Sequence, residues 1–184
     1  MPTWRSYIHT REEFLKSDYY LQWQDLLKSN ELNRLLNENE FELMFYPHYE
    51  VQKYLDCFIT ENPRVKIASF KEYDVQTLLK ESLLLVTDYS SVFFDFGYMR
   101  KPIIYYHFDE DVFFQKHHNR GYFNHKEDGF GKVCVTCEEV VDEIHKYFDN
   151  DFVLDQCYSE RLKAFFPLYD QNNCQRIYEQ IITR

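Results

Sequence analysis

Apolar residues fall into short continuous runs that alternate with segments of helical spacing. The runs are rich in β-branched and aromatic residues, as is typical of strands buried on both faces, and they span Phe41–Tyr46, Val65–Phe70, Leu83–Thr87 and Pro102–Phe108. Helical spacing before and between them predicts helices over Asp18–Leu36, Tyr49–Phe58, Asp74–Ser82 and Ser90–Met99. This alternation predicts an α/β fold with a doubly wound, Rossmann-like parallel sheet.

The pattern changes after Asp109. A long loop rich in His, Asn and Gly is predicted up to Lys132, and loops of that length in compact domains usually have a function. Three more helices are predicted over Glu138–Phe148, Leu154–Phe166 and Asn173–Ile182. Because neither a repeat nor a linker rich in Pro, Gly or Ser divides the chain, residues 1–184 are predicted to form a single lobe with C-terminal helices from about 138 to 184.

Composition and charge exclude several classes of protein. Hydrophobic residues make up 45% of the chain and charged residues 28%, with only 4 Gly and 5 Pro, which excludes disordered and collagen-like chains. The apolar runs are far shorter than the ~20 residues that span a bilayer, and no signal peptide is recognisable, so a cytoplasmic location is predicted. A net charge of −10 argues against nucleic-acid partners and against membrane contact through this part of the protein.

The five cysteines point to reduced thiols, because their number is odd and no secretory context accompanies them. Cys134 and Cys137 have C-x-x-C spacing, but no second pair and no H-x-x-x-H motif accompanies them. Neither a metal site nor a bound cofactor is therefore predicted.

The loops that follow the predicted strands are the expected ligand site, since ligands of doubly wound sheets bind at the carboxyl edge. There, Asp88-Tyr89-Ser90-Ser91 separates a strand from a helix, so free backbone N–H groups and two hydroxyls can cradle a phosphate. The alternative is that Ser90 or Asp88 merely caps the helix. Asp95, one turn inside that helix, either supports the turn from behind or is an ordinary exposed carboxylate.

Histidines supply the other candidates. His48 directly follows a predicted strand at the same edge, where an imidazole can donate to a phosphate oxygen or protonate a leaving group. A lone histidine at a strand end is otherwise a structural hydrogen-bonding group. His117, His118 and His125 lie in the long polar loop without a fixed partner, and we expect them to be solvated.

Several segments closely resemble the CDP-glycerol glycerophosphotransferases of bacterial teichoic-acid synthesis. They are Asp74–Leu79, Val86–Phe96, with its specific Asp-Tyr-Ser-Ser block, and Lys101–Tyr106, joined by Arg120–Phe123 and the helix around Gln175–Ile177. The opening Pro2-Thr3-Trp4-Arg5 is similar to the family's Pro-Thr-Trp-Arg segment. The resemblance extends over nearly the whole chain.

The resemblance implies a two-lobed GT-B architecture, in which the C-terminal lobe holds the donor nucleotide and the N-terminal lobe brings the acceptor and a catalytic base. In the family, Pro-Thr-Trp-Arg opens the C-terminal lobe and follows an apolar strand. This chain therefore resembles the donor-binding lobe alone, clipped just before Met1 and weakly active or inactive by itself.

The resemblance also assigns roles to individual residues. His48 contacts the donor phosphates and assists the departure of CMP, while Ser90 and Ser91 hold the donor pyrophosphate and Arg5 faces the cleft between lobes as a further phosphate ligand. Nucleotide contacts are implied for the segment that contains Ser69, Tyr73 and Asp74, chiefly through its backbone. Asp88 and Asp95 are expected to support the Ser-Ser turn.

The implied donor is CDP-glycerol or a related CDP-alditol, and the implied acceptor is a polymer hydroxyl on a lipid carrier, which places the full-length enzyme at the cytoplasmic face of the bacterial membrane. Two other functions stay open. The chain could be the nucleotide lobe of a GT-B glycosyltransferase that uses a nucleotide sugar, or a non-catalytic α/β interaction domain whose exposed aromatic residues dock a partner.

Overall fold

A computed structural model describes residues 1–183. Its strands are β1 (Leu43–Phe45), β2 (Val65–Ile67), β3 (Leu85–Thr87), β4 (Ile103–Tyr106) and β5 (Gly131–Cys134). Its helices are α1 (Arg11–Lys16), α2 (Asp18–Lys28), α3 (Asn30–Glu38), α4 (Val75–Glu81), α5 (Val92–Tyr98), α6 (Glu110–Lys116), α7 (Cys137–Asp149), α8 (Gln156–Phe165) and α9 (Asn173–Ile182), with a 3-10 helix over Tyr49–Cys57.

All strand pairs are parallel, but the strands form two sheets. β1 pairs with β2, and β3, β4 and β5 pair in that order. The sequence pattern predicts one continuous sheet. The two sheets stay separate at β1 and β3, which do not hydrogen-bond to each other although their carboxyl ends lie at the same edge.

Helices cover both faces of the larger sheet, as the doubly wound prediction requires. Side chains of β4 alternate between the two faces. Ile104 and Tyr106 join a core with α2, α3 and α7, whereas Ile103 and Tyr105 join a second core with α4, α5 and α8. All four side chains are completely buried. The strand runs therefore read as continuously apolar because each face packs against helices.

An apolar cavity of about 740 Å³, here called the slot, separates β1 from β3. Both strands line it, together with core side chains of α2, α3 and α7. Met1 lines the slot, and its amine donates to the Val86 carbonyl at 2.7 Å. The neighbouring Pro2 carbonyl accepts from the His48 N–H at 3.2 Å. Burial lowers the pKa of the Met1 amine to about 5.

The predicted loop between Asp109 and Lys132 is only partly a loop. It contains α6, whose Phe113 is buried, and it ends in β5, which pairs with β4 through Ile103 and Gly131. The long helix predicted over Asp18–Leu36 is divided at Ser29, whose extended backbone starts α3 and whose hydroxyl accepts from the Leu32 N–H. Within residues 1–183, no helix combines the length and apolar character needed to cross a membrane.

Candidate functional site

The Asp-Tyr-Ser-Ser turn leads from β3 into α5 at the carboxyl edge. Asp88 is fully buried and accepts from the N–H groups of Thr3 and Tyr89, each at 2.7 Å. Ser90 is half-buried and Ser91 exposed. Ser91 is the N-cap residue of α5, but its side chain makes no capping hydrogen bond. Its hydroxyl is thus available to a ligand. The Phe93 and Phe94 N–H groups donate to the Ser90 and Ser91 carbonyls at 3.3 and 3.0 Å, so these two amides are already used within the turn.

Arg5 fixes this turn from inside the protein. Its guanidinium donates from Nε and Nη2 to both oxygens of Asp109, at 2.7 and 2.9 Å, and from Nη1 to Asp88 at 3.0 Å. The Arg5 side chain has no exposed surface. Burial alone would lower the pKa of Arg5, but Asp88 and Asp109 outweigh it and raise that pKa. The ends of β3 and β4 are therefore tied to the N-terminal segment by a buried ion-pair network.

This arrangement corrects the sequence expectation for Arg5. The resemblance implies that Arg5 faces a cleft and binds phosphate, but two carboxylates occupy its donors and enclose it. Asp88 does support the turn, whereas Asp95 is exposed on α5. Asp109 was not predicted as a site residue, because its pairing with Arg5 joins positions 104 residues apart.

An aromatic layer lies against the Arg5 network. The Tyr89 ring stacks on Phe113 of α6, with centroids 4.0 Å apart, and it also contacts the His107 ring, with centroids 4.3 Å apart. His107 Nε2 is 3.2 Å from the Asp88 carbonyl. Burial lowers the pKa of His107, despite the nearby Asp88 carboxylate. Neutral rings therefore pack behind the turn and hold it in place.

His48 is exposed and begins the 3-10 helix after β1. Its Nδ1 accepts from the Glu50 N–H at 3.2 Å, and its ring stacks on Trp4 with a centroid distance of 6.1 Å and an interplanar angle of 15°. Because Nδ1 serves as an acceptor, the proton of the neutral ring lies on Nε2. His48 thus offers an N–H donor at the edge where it was predicted to lie.

The predicted nucleotide segment follows β2. Ser69 Oγ accepts from the Lys71 N–H at 3.2 Å, which closes a tight turn. Asp74 caps α4, accepting from the N–H and hydroxyl of Thr77 at 2.8 and 3.0 Å. Tyr73 and Asp74 lie at the mouth of the slot. The side chain of Asp74 is thus already used as a cap, which leaves backbone groups of this segment for ligand contacts.

Sequence reasoning missed His117, which it assigned to a solvated loop. His117 ends α6 and its Nδ1 lies 2.7 Å from Ser6 Oγ. Its ring meets the Trp4 ring edge-on, with centroids 5.6 Å apart. Two imidazoles, those of His48 and His117, therefore contact Trp4 at the carboxyl edge. The His117-His118 dipeptide was the available signal in the sequence. Because the helix before it was not predicted, the dipeptide could not be placed in the fold.

A family model for CDP-Glycerol:Poly(glycerophosphate) glycerophosphotransferase matches residues 1–183 of this chain. The chain belongs to this glycerophosphotransferase family. The minor teichoic acid biosynthesis protein GgaB of Bacillus subtilis is 30% identical over 99% of this chain and 21% of its own length. The teichoic acid poly(glycerol phosphate) polymerase of Bacillus spizizenii is 28% identical over 98% of this chain and 43% of its own length.

A solved structure of the wall teichoic acid polymerase TagF matches 99% of this chain and 42% of the polymerase chain, with a TM-score of 0.68 and 23% identity. A variant of that polymerase gives the same TM-score at 26% identity. These matches confirm the family resemblance and the Rossmann-like α/β fold of a GT-B lobe. The chain spans less than half of the length of the relatives and structures described above.

Proposed function

We propose that this chain is the donor-nucleotide lobe of a transferase that moves glycerol phosphate from CDP-glycerol, or a related CDP-alditol, to a polymer hydroxyl. The family match over residues 1–183 carries this proposal. It is supported by relatives named as poly(glycerol phosphate) polymerases and by a TagF structure obtained after a soak with CDPG.

The carboxyl edge supplies the groups that such a donor needs. Ser90 and Ser91 present hydroxyls at the start of α5, where Ser91 makes no capping bond, so they are the proposed ligands of the pyrophosphate. Arg5 acts indirectly: it holds Asp88 and Asp109 and so keeps the turn open toward solvent. The backbone between Ser69 and Asp74 is proposed to contact cytosine and ribose.

In the proposed reaction, the acceptor hydroxyl oxygen attacks the β-phosphorus of CDP-glycerol. A new phosphorus–oxygen bond forms, and the bond from the β-phosphorus to the bridging oxygen breaks, which releases CMP. The hydroxyl proton passes to a base outside this lobe. His48 donates its Nε2–H to the departing CMP phosphate, and this stabilises the charge that develops there.

The acceptor, its lipid carrier and any membrane contact belong to parts of a two-lobed enzyme beyond residues 1–184. We propose that this lobe acts with such an acceptor lobe on the cytoplasmic side of the membrane. The reaction depends mainly on placing the donor phosphorus against the acceptor hydroxyl.

Calorimetric titration of the chain with CDP-glycerol, CDP, CMP, UDP and GDP tests the proposal. We expect selective binding of the cytidine diphosphates. The Ser90→Ala, Ser91→Ala double variant should weaken CDP binding about tenfold or more, because each serine contributes a hydrogen bond to a charged group. Ser159→Ala in α8 is the matched control and should bind like the unmodified chain.

The same titration separates the alternatives. Preference for UDP or GDP would favour a GT-B glycosyltransferase that uses a nucleotide sugar. Absence of nucleotide binding by the folded chain would overturn the proposal and favour an interaction domain.

A further inference from the structure

His117 occupies a defined position at the carboxyl edge. It directly follows α6, which begins after the end of β4, so the fold carries it over the same edge as the Ser-Ser turn. The His117 N–H donates to the Phe113 carbonyl at 2.8 Å, and the two rings pack at 4.9 Å. Phe113 in turn stacks on Tyr89 of the turn. A continuous row of rings therefore connects the Ser-Ser turn with His117.

The N-terminal segment fixes the orientation of the His117 ring. Ser6 donates its backbone N–H to Nδ1 at 3.1 Å. A backbone N–H is only a donor, so Nδ1 must be the acceptor and the proton of the neutral ring lies on Nε2. His48 has the same arrangement, since its Nδ1 accepts from the Glu50 N–H. Neither Nε2 makes a hydrogen bond within residues 1–183.

Local charges keep His117 in this form. Burial has the largest effect and lowers the pKa of His117. The charges of Arg5, His118 and His48 lower this pKa further, and Asp88 opposes them. His117 is therefore neutral near pH 7, with one N–H to offer. The edge thus presents two preoriented donors, on two rings that both contact Trp4.

We propose that His117 is a second binding residue for the diphosphate of the donor, and that its Nε2–H and that of His48 donate to the same anionic group beside Trp4. The proposal deepens the function proposed above and rests on it for the identity of the ligand. Two N–H donors match the acceptor oxygens of a diphosphate and do not distinguish one nucleobase or sugar from another.

Two substitutions separate binding from a structural role in anchoring Ser6. His117→Asn keeps an acceptor at the position of Nδ1 and removes the Nε2 donor, whereas His117→Gln keeps a donor near Nε2 and removes the Nδ1 acceptor. If His117 binds the diphosphate, the Asn variant loses about tenfold in affinity for CDP and the Gln variant much less. If His117 only anchors Ser6, the order of the two variants is reversed. His145→Asn on α7 is the control, because His145 is exposed on that helix.

A parallel titration with inorganic pyrophosphate, followed by imidazole nitrogen NMR, distinguishes this proposal from the proposed function. Pyrophosphate should shift the Nε2 signals of both His48 and His117. Such shifts without a preference for cytidine would support the His117 site and contradict the proposed donor. Selective CDP binding that His117→Asn leaves unchanged would overturn the His117 proposal alone, and a chain that binds neither ligand would overturn both.

Discussion

The slot and the carboxyl edge lie between the same two strands, β1 and β3, yet they are built in opposite ways. Along the slot, the strands are separated by a mainly apolar cavity of about 740 Å³ and do not hydrogen-bond to each other. At the edge, Thr3, Arg5 and the Pro2 carbonyl connect the ends of both strands through charged and backbone hydrogen bonds. The geometry of the candidate site therefore depends on a few polar contacts of the N-terminal segment rather than on a continuous sheet.

The edge should be most sensitive to the loss of Arg5. Arg5→Met keeps an unbranched apolar stem but leaves Asp88 and Asp109 buried without their cation. We expect the free energy of unfolding at pH 7, measured by urea denaturation, to fall by about 3–5 kcal/mol.

Arg34→Met is the control for this prediction. Arg34 pairs with Glu31 and Glu38 on the exposed surface of α3, so its removal should change the urea midpoint very little. Equal midpoints for Arg5→Met and Arg34→Met would show that the buried network does not hold the edge.

Filling the slot with an added strand should raise the stability of the fold. A chain extended at Met1 by five apolar, β-branched residues can place a strand between β1 and β3 and replace the buried amine with a peptide N–H. Burial of apolar surface and new ladder hydrogen bonds outweigh the cost of ordering this strand, so the free energy of unfolding should rise by roughly 2 kcal/mol.

A Gly/Ser extension of equal length is the matched control, since it cannot fill the cavity with side chains. Amide hydrogen exchange should slow in Leu43–Phe45 and Leu85–Thr87 with the apolar extension only. Equal stability and exchange for the two extensions would mean that the slot does not accept a strand.

The sequence predicts the strands of this fold better than it predicts which strands become neighbours. The apolar runs identify β1 to β4, because strands buried on both faces must be continuously apolar. β5 escapes prediction because Gly131 and Lys132 interrupt its pattern, and its pairing with β4 is what makes it a strand. The gap between β1 and β3 cannot be predicted from the sequence either, since local patterns do not specify which strands become neighbours.

The candidate site shows a similar limit. The Asp-Tyr-Ser-Ser block and His48 stand out because each follows a strand, a local signal. The burial of Arg5 depends on partners 83 and 104 residues away, and the position of His117 depends on α6 and Ser6. Charged and imidazole side chains look alike in sequence whether solvated or enclosed, and only long-range packing distinguishes these states.

Acidification should weaken the edge through His125. Its ring contacts His107 with centroids 4.7 Å apart, and burial, together with repulsion from His107 when that ring is protonated, lowers the pKa of His125 from 6.5 to about 4. Glu110 and Asp88 oppose this shift. Between these two values the unfolded chain binds more protons than the folded one, so stability falls as the pH falls through that window.

Thermal unfolding measured from pH 7 to pH 4 should show this loss, and His125→Phe should reduce it because phenylalanine fits among Phe93, Phe123 and Tyr105 without titrating. The Met1 amine contributes with the same sign over a higher range, from its usual value of 8.0 down to about 5. The apolar extension removes that second contribution. An unchanged pH dependence in His125→Phe would assign the whole effect to other groups.

The smallest expected effect lies at Asp74, which borders the slot and belongs to the proposed nucleotide segment. Bonds from the Thr77 N–H and hydroxyl lower its pKa, so the stability from this cap is present at neutral pH and lost as the pH falls through the lowered value. Asp74→Ala should lower the melting temperature by a few degrees, whereas Asp74→Asn, which can still cap α4, should change it little. If the backbone of this segment makes the nucleotide contacts, the Asn variant should bind CDP within about twofold of the affinity of the unmodified chain. Losing a hydrogen bond to a charged group would reduce the affinity by more than that. A large loss of affinity at unchanged stability would instead place the Asp74 carboxylate on the nucleotide and make the slot's mouth part of the binding site.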